Sequence, residues 1–183
     1  RGVRDVLILE ATSEVLTKVR ISGGGRCNVT HACWDPMELV GHYPRGSRPL
    51  RGPFSRFACG DSIAWFDEHG LTLVEESDGR MFPQQNRSEA VVECLRRAAV
   101  AVGVKIQCGC AVRQLSCSAA GDFQISDQRS AFYQAKRVLL ASGGHPRGRR
   151  LAQDLGHTIV PPVPSLFSLK LQVAALTACS GIA

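Results

Sequence analysis

The sequence predicts an α/β fold, and three observations support this prediction. Residues 6–9 form a short apolar run of strand formers, which is typical of a buried parallel strand. A helical pattern stops at Gly103 and leads directly into a strand-like run at residues 104–107. Residues 137–141 form another apolar run, predicted to be a buried strand, that passes through glycines into a helical stretch.

The first half of the chain mixes short elements with irregular segments. Residues 12–20 allow a short helical turn, and residues 34–57 contain four prolines, which favour short helical pieces over long helices. Asp61 is predicted to cap a helix that stops at Gly70. A strand is expected to follow at residues 71–74.

The longest predicted helix begins at Ser88, which is expected to be its N-cap. Three strand-like pieces at residues 111–116, 122–126 and 131–135 then predict a small antiparallel β-meander, with a turn at Gly121. The helix should bury one stripe of apolar residues, which recur at helical spacing: Val91, Val92, Leu95, Ala98, Ala99 and Val102.

The last part of the chain is predicted to contain one helix and a linker. The helical stretch runs from about residue 147 to 155, and Gly156 ends it. Because glycines precede this helix, its backbone N–H groups could face an anion. Residues 161–164 are predicted to be a linker, and residues 166–171 to begin a further strand.

The composition indicates a cytoplasmic globular protein. The 183 residues make one domain, or one domain and part of another, and no apolar run approaches the roughly 20 residues that cross a bilayer. The eight cysteines include no Cys-x-x-Cys pair, and Cys108-x-Cys110 has no histidine at zinc-finger spacing. We therefore expect reduced, mostly buried thiols and no metal site.

The net charge of +6 comes from local clusters of arginine. Four arginines lie within residues 45–56, and three lie within residues 147–150. Three interpretations are open: a nucleic-acid surface, a pocket for a phosphorylated cofactor, and a solvated basic face. Because no recognised nucleic-acid motif accompanies the arginines, we expect no nucleic-acid partner and no membrane partner.

Three consecutive glycines, Gly23, Gly24 and Gly25, are the most informative feature of the chain. They remove three side chains from one stretch of backbone, so that a ligand can approach the main-chain N–H groups closely. Arg26 adds a positive charge, which suits a large, flat, anionic ligand. The alternatives are a flexible surface loop for the glycines and an ion pair with a nearby carboxylate for Arg26.

Glu10 follows the first predicted strand. An acidic residue at this place in a Rossmann-type fold accepts hydrogen bonds from a ribose, and a Gly-x-Gly-x-x-Gly turn lies about 20 residues upstream of it. Because only nine residues precede Glu10, we expect the phosphate-binding turn and its helix to be missing from this chain. The alternative is a glutamate that simply ends an exposed strand.

The segment Lys18–Thr30, with Ile-Ser-Gly-Gly-Gly-Arg-Cys-Asn at its centre, closely resembles the hallmark of a bacterial family of FAD-dependent oxidoreductases. Its members are called BaiN-like or aminoacetone-oxidase-like flavoproteins. Similar motifs elsewhere are Tyr-Pro-Arg-Gly, Leu-Arg-Gly-Pro-Phe-Ser-Arg-Phe, Asp-Gly-Arg-Met-Phe-Pro, Ala-Ser-Gly-Gly and residues 155–167. Ser142 and His31 depart from the family's usual Thr and Asn.

The resemblance implies a Rossmann-like, glutathione-reductase-like FAD-binding domain with a β-meander, truncated at both termini. Residues 1–160 would be the partial FAD-binding domain, and residues 161–183 a linker and the start of an inserted substrate domain. The parent enzyme would transfer hydride between a small organic substrate and flavin, with NAD(P)H as electron donor. We expect weak FAD retention by this chain. A non-enzymatic nucleic-acid-binding module and an inactive fragment are the alternatives.

The resemblance also implies which residues bind FAD, although it names no catalytic residue. Glu10 would bind the adenosine ribose, and Val112 would contact the adenine through its backbone. Lys18, with a solvated side chain as the alternative, would lie along the flavin and its ribityl–pyrophosphate arm. The same arm would contact a loop made of Ser22, Gly23, Gly24, Gly25, Arg26, Cys27 and Asn28. Within this loop we expect the cysteine to be a packed residue rather than a redox thiol. The adenosine half would lie close to Ala141, Ser142, Gly143 and Gly144.

Overall fold

A computed structural model describes residues 5–163 as six α-helices and eight β-strands. The helices are α1 Thr17–Ile21, α2 Pro36–Gly41, α3 Ser47–Phe54, α4 Cys59–Glu68, α5 Ser88–Ala101 and α6 Pro146–Asp154. The strands are β1 Leu7–Leu9, β2 Thr30–His31, β3 Leu73–Glu75, β4 Arg80–Pro83, β5 Lys105–Gln107, β6 Val112–Cys117, β7 Phe123–Asp127 and β8 Phe132–Ala135.

These elements belong to two compact units. Among the described residues, unit 1 comprises residues 5–8 and 14–106, and unit 2 comprises residues 9–13 and 107–163. No helix in the described part of the chain is both long enough and apolar enough to cross a bilayer. Residues 164–183, which include the predicted strand at 166–171, lie outside the described residues.

Strands β1 and β5 pair in a two-stranded sheet. Their hydrogen bonds advance along both strands together, from Lys105 N–H to Val6 O and from Glu10 N–H to Gln107 O, each at 2.9 Å, so the pair is parallel. The α/β prediction is confirmed, but the expected burial of the first strand is wrong. Its Leu7 and Ile8 side chains are exposed, because β5 is its only strand partner within the described residues.

Unit 1 contains a three-stranded antiparallel sheet in the order β2-β4-β3. Strand β4 lies at its centre, with Met81 opposite Thr30 on one side and Phe82 opposite Val74 on the other. The apolar faces of α4 and α5 supply much of the core of this unit. Its fully buried members are Cys27, Phe66, Leu71, Val91 and Cys94.

The two predicted helix caps are wrong by a few residues. Asp61 lies in the first turn of α4, where its carboxylate accepts a hydrogen bond from the N–H of the N-cap Ala58 at 2.7 Å. Ser88 is the first residue of α5, and its buried hydroxyl donates to the carbonyl of Arg20 at 2.6 Å. The predicted stripe on α5 is buried near its start, but Val102 is exposed because the helix ends at residue 101.

Unit 2 contains the predicted antiparallel meander, β6-β7-β8. The turn at Gly121 is confirmed, since Gly121 has a φ of +82° and its N–H bonds to Ser118 O at 2.9 Å. Helix α6 packs on one face of the meander, where Leu151 meets the cross-strand pair Leu115 and Ile125 in a second core. The helix predicted after residue 147 is thereby confirmed.

Residues 137–141 do not form the buried strand that the sequence predicts. Leu139 is 88% exposed and Leu140 is 40% exposed, although Val138 packs against the core of unit 2. The physical reason is that no strand in the described part of the chain pairs with this segment, so its apolar side chains have no sheet to join.

We predict a large difference between two Leu→Ala substitutions in unit 2. Leu115→Ala removes a fully buried side chain from the second core and should lower the free energy of unfolding by about 2–5 kcal/mol. Leu139→Ala removes an exposed side chain and should change it by less than about 0.5 kcal/mol. Urea denaturation measures both values, and equal losses would show that residues 137–141 are buried after all.

Candidate functional site

The three glycines of unit 1 form a tight, hydrogen-bonded turn. Residues Ser22–Gly25 make one 3-10 turn, in which Gly23, Gly24 and Gly25 have φ values of +54°, +66° and +85°. The N–H of Cys27 closes the turn by donating to Ser22 O at 3.0 Å. Because side chains strongly disfavour this left-handed region, the consecutive glycines are a requirement of the backbone path.

Gly23 is also required by a close approach. A Cβ atom at this position would lie 3.0 Å from Asn28 N and 3.2 Å from Phe82 Cε1. A Cβ atom at Gly24 would meet nothing within 4 Å. The turn is therefore packed against strand β4 on one side and open on the other, where its backbone is accessible.

Arg26 holds the turn against the sheet. Its guanidinium lies 4.0 Å above the centre of the Phe82 ring. The same group donates hydrogen bonds from Nε to Asn86 and from Nη2 to Glu76. The Arg26 side chain is about two-thirds buried. Glu76 also pairs with Arg80 at 3.5 Å. The ion-pair alternative for Arg26 is thus what the structure shows, so this residue positions the turn while Glu76 balances its charge.

The other predicted loop residues have different environments. The Ser22 hydroxyl donates to Val19 O at 2.8 Å, and the exposed Asn28 accepts from Met81 N–H at 3.3 Å. Cys27 is a buried member of the core of unit 1, as expected for a packed residue. Lys18 is exposed and its ammonium makes no hydrogen bond or ion pair within the described residues.

A cavity of about 380 Å³ opens in unit 1 where the glycine loop ends. Asn28 and Val29 line it on the loop side. Its aromatic wall is Tyr43, Phe54 and Phe57, of which the first two rings pack against each other with centroids 5.5 Å apart. The lining combines these rings with polar side chains such as Asn28 and His31, and such a mixed cavity suits a small organic ligand.

Unit 2 contains the remaining predicted site residues. Glu10 Oε1 accepts hydrogen bonds from Thr12, at 2.8 Å from the N–H and 2.9 Å from the hydroxyl. The Glu10 carbonyl accepts a hydrogen bond from the Cys110 N–H at 2.8 Å. This bond holds the end of β1 beside Cys110, which lies two residues before Val112 in the chain.

The segment Ala141–Gly144 lies directly before α6 and is exposed. Arg147, in the first turn of α6, donates to Val112 O at 3.2 Å and so connects this helix to the start of β6. His145 caps α6, because its Nδ1 accepts from the N–H of Arg147 at 3.2 Å. Unit 2 thus brings Glu10, Val112 and residues 141–144 to connected positions, while in unit 1 only Asn28 of the predicted loop residues lines the cavity.

Three side chains of unit 1 have pKa values that depart from the ordinary ones. Burial raises the pKa of the Cys94 thiol. Burial also raises the pKa of the Cys33 thiol, and the neighbouring Glu38 carboxylate raises it further. The N–H of Arg80 lowers the pKa of the exposed Asp78 carboxyl by hydrogen bonding to it. All seven cysteines in the described part of the chain are free thiols, and five are buried, which confirms that most of the thiols are buried.

One cluster of potential metal ligands was not predicted from the sequence. Cys33, Glu38 and His42 place one thiol, one carboxylate and one imidazole within 4.8 Å of one another. The signal was present as a Cys-x4-Glu-x3-His spacing, in which Glu38 and His42 are one helical turn apart. This spacing is not that of a zinc finger. It indicates that the three side chains lie close together only when helix α2 is known to begin at Pro36.

The sequence is similar to known proteins over nearly its whole length. The family model described as HI0933-like protein Rossmann domain matches residues 1–182. The chain is 30% identical to a 3-dehydro-bile acid delta(4,6)-reductase of Clostridium scindens over 99% of its own length and 45% of the relative's. It is 27% identical to a ribosomal RNA dihydrouridine synthase of Haemophilus influenzae, over 98% of the chain and 47% of the relative. The chain therefore spans about half the length of these relatives.

We predict that the Arg26–Glu76 pair stabilises unit 1 more than an exposed pair does. A double-mutant cycle with Arg26→Ala and Glu76→Gln should give a coupling free energy of about 1–2 kcal/mol, because both side chains are mostly buried and the arginine also packs on Phe82. The matched control is the exposed pair Arg96–Glu93, for which about 0.5 kcal/mol or less is expected. Denaturation of all variants measures both values, and equal couplings would contradict the positioning role of Arg26.

Proposed function

The chain belongs to the HI0933-like family of Rossmann-domain proteins, and from that membership we propose that it is the FAD-binding part of a flavin-dependent oxidoreductase. The main support is the turn Ser22–Gly25, whose open side presents backbone without side chains. The same loop continues to Asn28 and Val29, which line a cavity of about 380 Å³. The similarity to a reductase supports the same class of reaction. The narrower membership in the BaiN-like flavoproteins, the division at residues 160 and 161, and NAD(P)H as electron donor remain predictions.

The residues of unit 1 fit the flavin end of such a cofactor. A flat ring system can approach the turn closely, because Gly24 carries no side chain and a Cβ there would meet only open space. Arg26 and Phe82 keep the turn in one conformation, so its backbone dipoles are fixed before a ligand arrives. When bound, the flavin would supply hydride transfer to or from a substrate, which the aromatic wall of the cavity would shield from water.

The residues of unit 2 fit the adenosine end. We assign Glu10 Oε2 to the ribose hydroxyls, since Oε1 already accepts two hydrogen bonds from Thr12. The backbone of Val112 is assigned to the adenine, and residues 141–144 to the neighbouring phosphate or ribose. Arg147 supports this assignment, because it ties the first turn of α6 to Val112.

We predict that FAD added to the purified chain binds saturably and that Gly23→Ala weakens this binding. The substituted residue would have to keep a φ of +54° and would collide with Asn28 N and Phe82 Cε1. A strain of about 1.4 kcal/mol or more corresponds to at least a tenfold rise in the dissociation constant. Quenching of flavin fluorescence during titration measures that constant without requiring the cofactor to survive purification.

Gly52→Ala is the matched control for this experiment. Gly52 lies in helix α3, and a Cβ at this position would meet nothing within 4 Å, so FAD affinity should be unchanged. Absence of saturable binding by the unmodified chain, or equal affinities for the two variants, would contradict the proposed role of the turn.

A second candidate concerns the substrate, and a cluster of cations supports it. Arg45, Arg48, Arg51 and Arg56 are exposed, and their side chains make no ion pair within the described residues. They belong to the same segment as Tyr43, Phe54 and Phe57 of the cavity wall. Unpaired arginines beside aromatic rings suit a polyanion whose bases stack on the rings, and two relatives carry the name ribosomal RNA dihydrouridine synthase. We therefore propose RNA as a candidate substrate class, in place of our expectation of no nucleic-acid partner.

We predict that this cluster of arginines binds RNA in a salt-dependent manner. Arg48→Ala combined with Arg51→Ala should reduce the slope of log Kobs against log salt concentration by about 1–2, because two phosphate contacts are lost. The matched control combines Arg96→Ala with Arg113→Ala, which removes the same charge elsewhere and should leave the slope nearly unchanged. Filter binding of a ribosomal RNA fragment at several salt concentrations provides the slopes, and no retention at low salt would reject RNA.

A further inference from the structure

We propose that Cys33, Glu38 and His42 form a zinc site around helix α2, with Cys33 before the helix, Glu38 within it and His42 at its C-cap. The Cys33 Sγ, a Glu38 carboxylate oxygen and a His42 ring nitrogen all lie within 4.8 Å of one another. Thiolate, imidazole and carboxylate are the three side-chain ligands that zinc takes in proteins, whereas magnesium and calcium prefer oxygen ligands alone. The mixed donor set therefore selects zinc over the hard cations.

The backbone places these three residues without depending on a metal. Ala32 N–H donates to Gly79 O at 2.7 Å, which holds the segment after β2 against the β3–β4 turn just before Cys33. Asp35 caps α2 by accepting from Met37 N–H at 2.8 Å, and this start sets the direction of Glu38. His42 lies one turn further along the same helix and caps its end.

The three side chains are available for coordination. Cys33 is buried, and its thiol makes only a weak contact with Asp35 O at 3.8 Å. Glu38 and His42 are exposed, and their side chains make no hydrogen bond or ion pair within residues 5–163. The site thus combines a fixed, buried sulfur with two surface ligands that can adjust their rotamers.

The adjustment required is small. Metal–ligand bonds of about 2.0–2.3 Å in a tetrahedron place the ligand atoms about 3.5 Å apart, so a pair of atoms up to 4.8 Å apart has to close by about 1.3 Å at most. Rotation of the Glu38 and His42 side chains covers this distance. Coordination releases the thiol proton of Cys33 to solvent as the sulfur–zinc bond forms, and a water molecule completes the tetrahedron.

Zinc at this position would have a defined structural consequence. Helix α2 contributes Leu39 to the cavity wall, and Tyr43 follows one residue after His42. A metal bound to all three residues would tie this wall to the end of β2, which also lines the cavity through His31. The site would therefore rigidify the cavity, and zinc would raise the melting temperature of the chain by binding the folded state.

The experiment uses cobalt(II) as a spectroscopic probe on the purified, metal-stripped chain. We expect a thiolate-to-cobalt charge-transfer band in the near ultraviolet and intense visible bands typical of tetrahedral coordination, all of which zinc should abolish by displacement. Cys33→Ser should remove the charge-transfer band. His42→Gln and Glu38→Gln change exposed residues, so these variants should fold normally while their dissociation constants for zinc rise at least about tenfold.

Cys117→Ser is the control, because it removes an exposed thiol in unit 2. This variant should keep the charge-transfer band and the affinity of the unmodified chain. The proposal is overturned if no charge-transfer band forms, if the band survives in Cys33→Ser, if His42→Gln and Glu38→Gln bind zinc as tightly as the unmodified chain, or if Cys117→Ser removes the band.

Discussion

The packing of Gly23 against strand β4 is the constraint on which the rest of the candidate site depends. A Cβ atom at Gly23 would lie only 3.2 Å from the Phe82 ring and would force its neighbours to shift, and the Arg26 guanidinium lies over the same ring. Glu76, at the start of the β3–β4 turn, completes the clamp by pairing with Arg26. The turn is thus fixed by contacts between residues far apart in sequence, and its open side is left for a ligand.

This arrangement gives Arg26 a different role from the one its position in the sequence suggests. Next to three glycines, a positive charge would be expected to attract an anionic ligand. Because the guanidinium already donates to Glu76 and Asn86, most of its hydrogen-bonding and charge interactions are made within the protein rather than with a ligand. The backbone N–H groups then remain as the polar feature of the turn, and they can donate hydrogen bonds to a ligand on its open side.

Patterns within single segments of the sequence predicted much of the fold. The predictions failed where an element depends on pairing with a distant segment. The spacing of apolar residues on α5, Gly103 after its end and the three short strands of the meander each carry their own signal, and these elements were predicted well. Residues 137–141 carry the same apolar signal as a strand but lack a partner strand among the described residues. The pair Arg26–Glu76 joins residues far apart in sequence, so no single segment reveals it. The cluster around Cys33 lies within one segment, but its spacing has meaning only when the start of α2 is known.

We propose that the glycine turn Ser22–Gly25 of unit 1 binds FAD. Hydrogen exchange of the purified chain, followed by mass spectrometry with and without saturating FAD, tests this proposal most directly. We expect slower exchange in peptides that cover residues 19–29, with no change across α5. Unchanged exchange in residues 19–29, or protection spread evenly over the whole chain, would contradict the proposal.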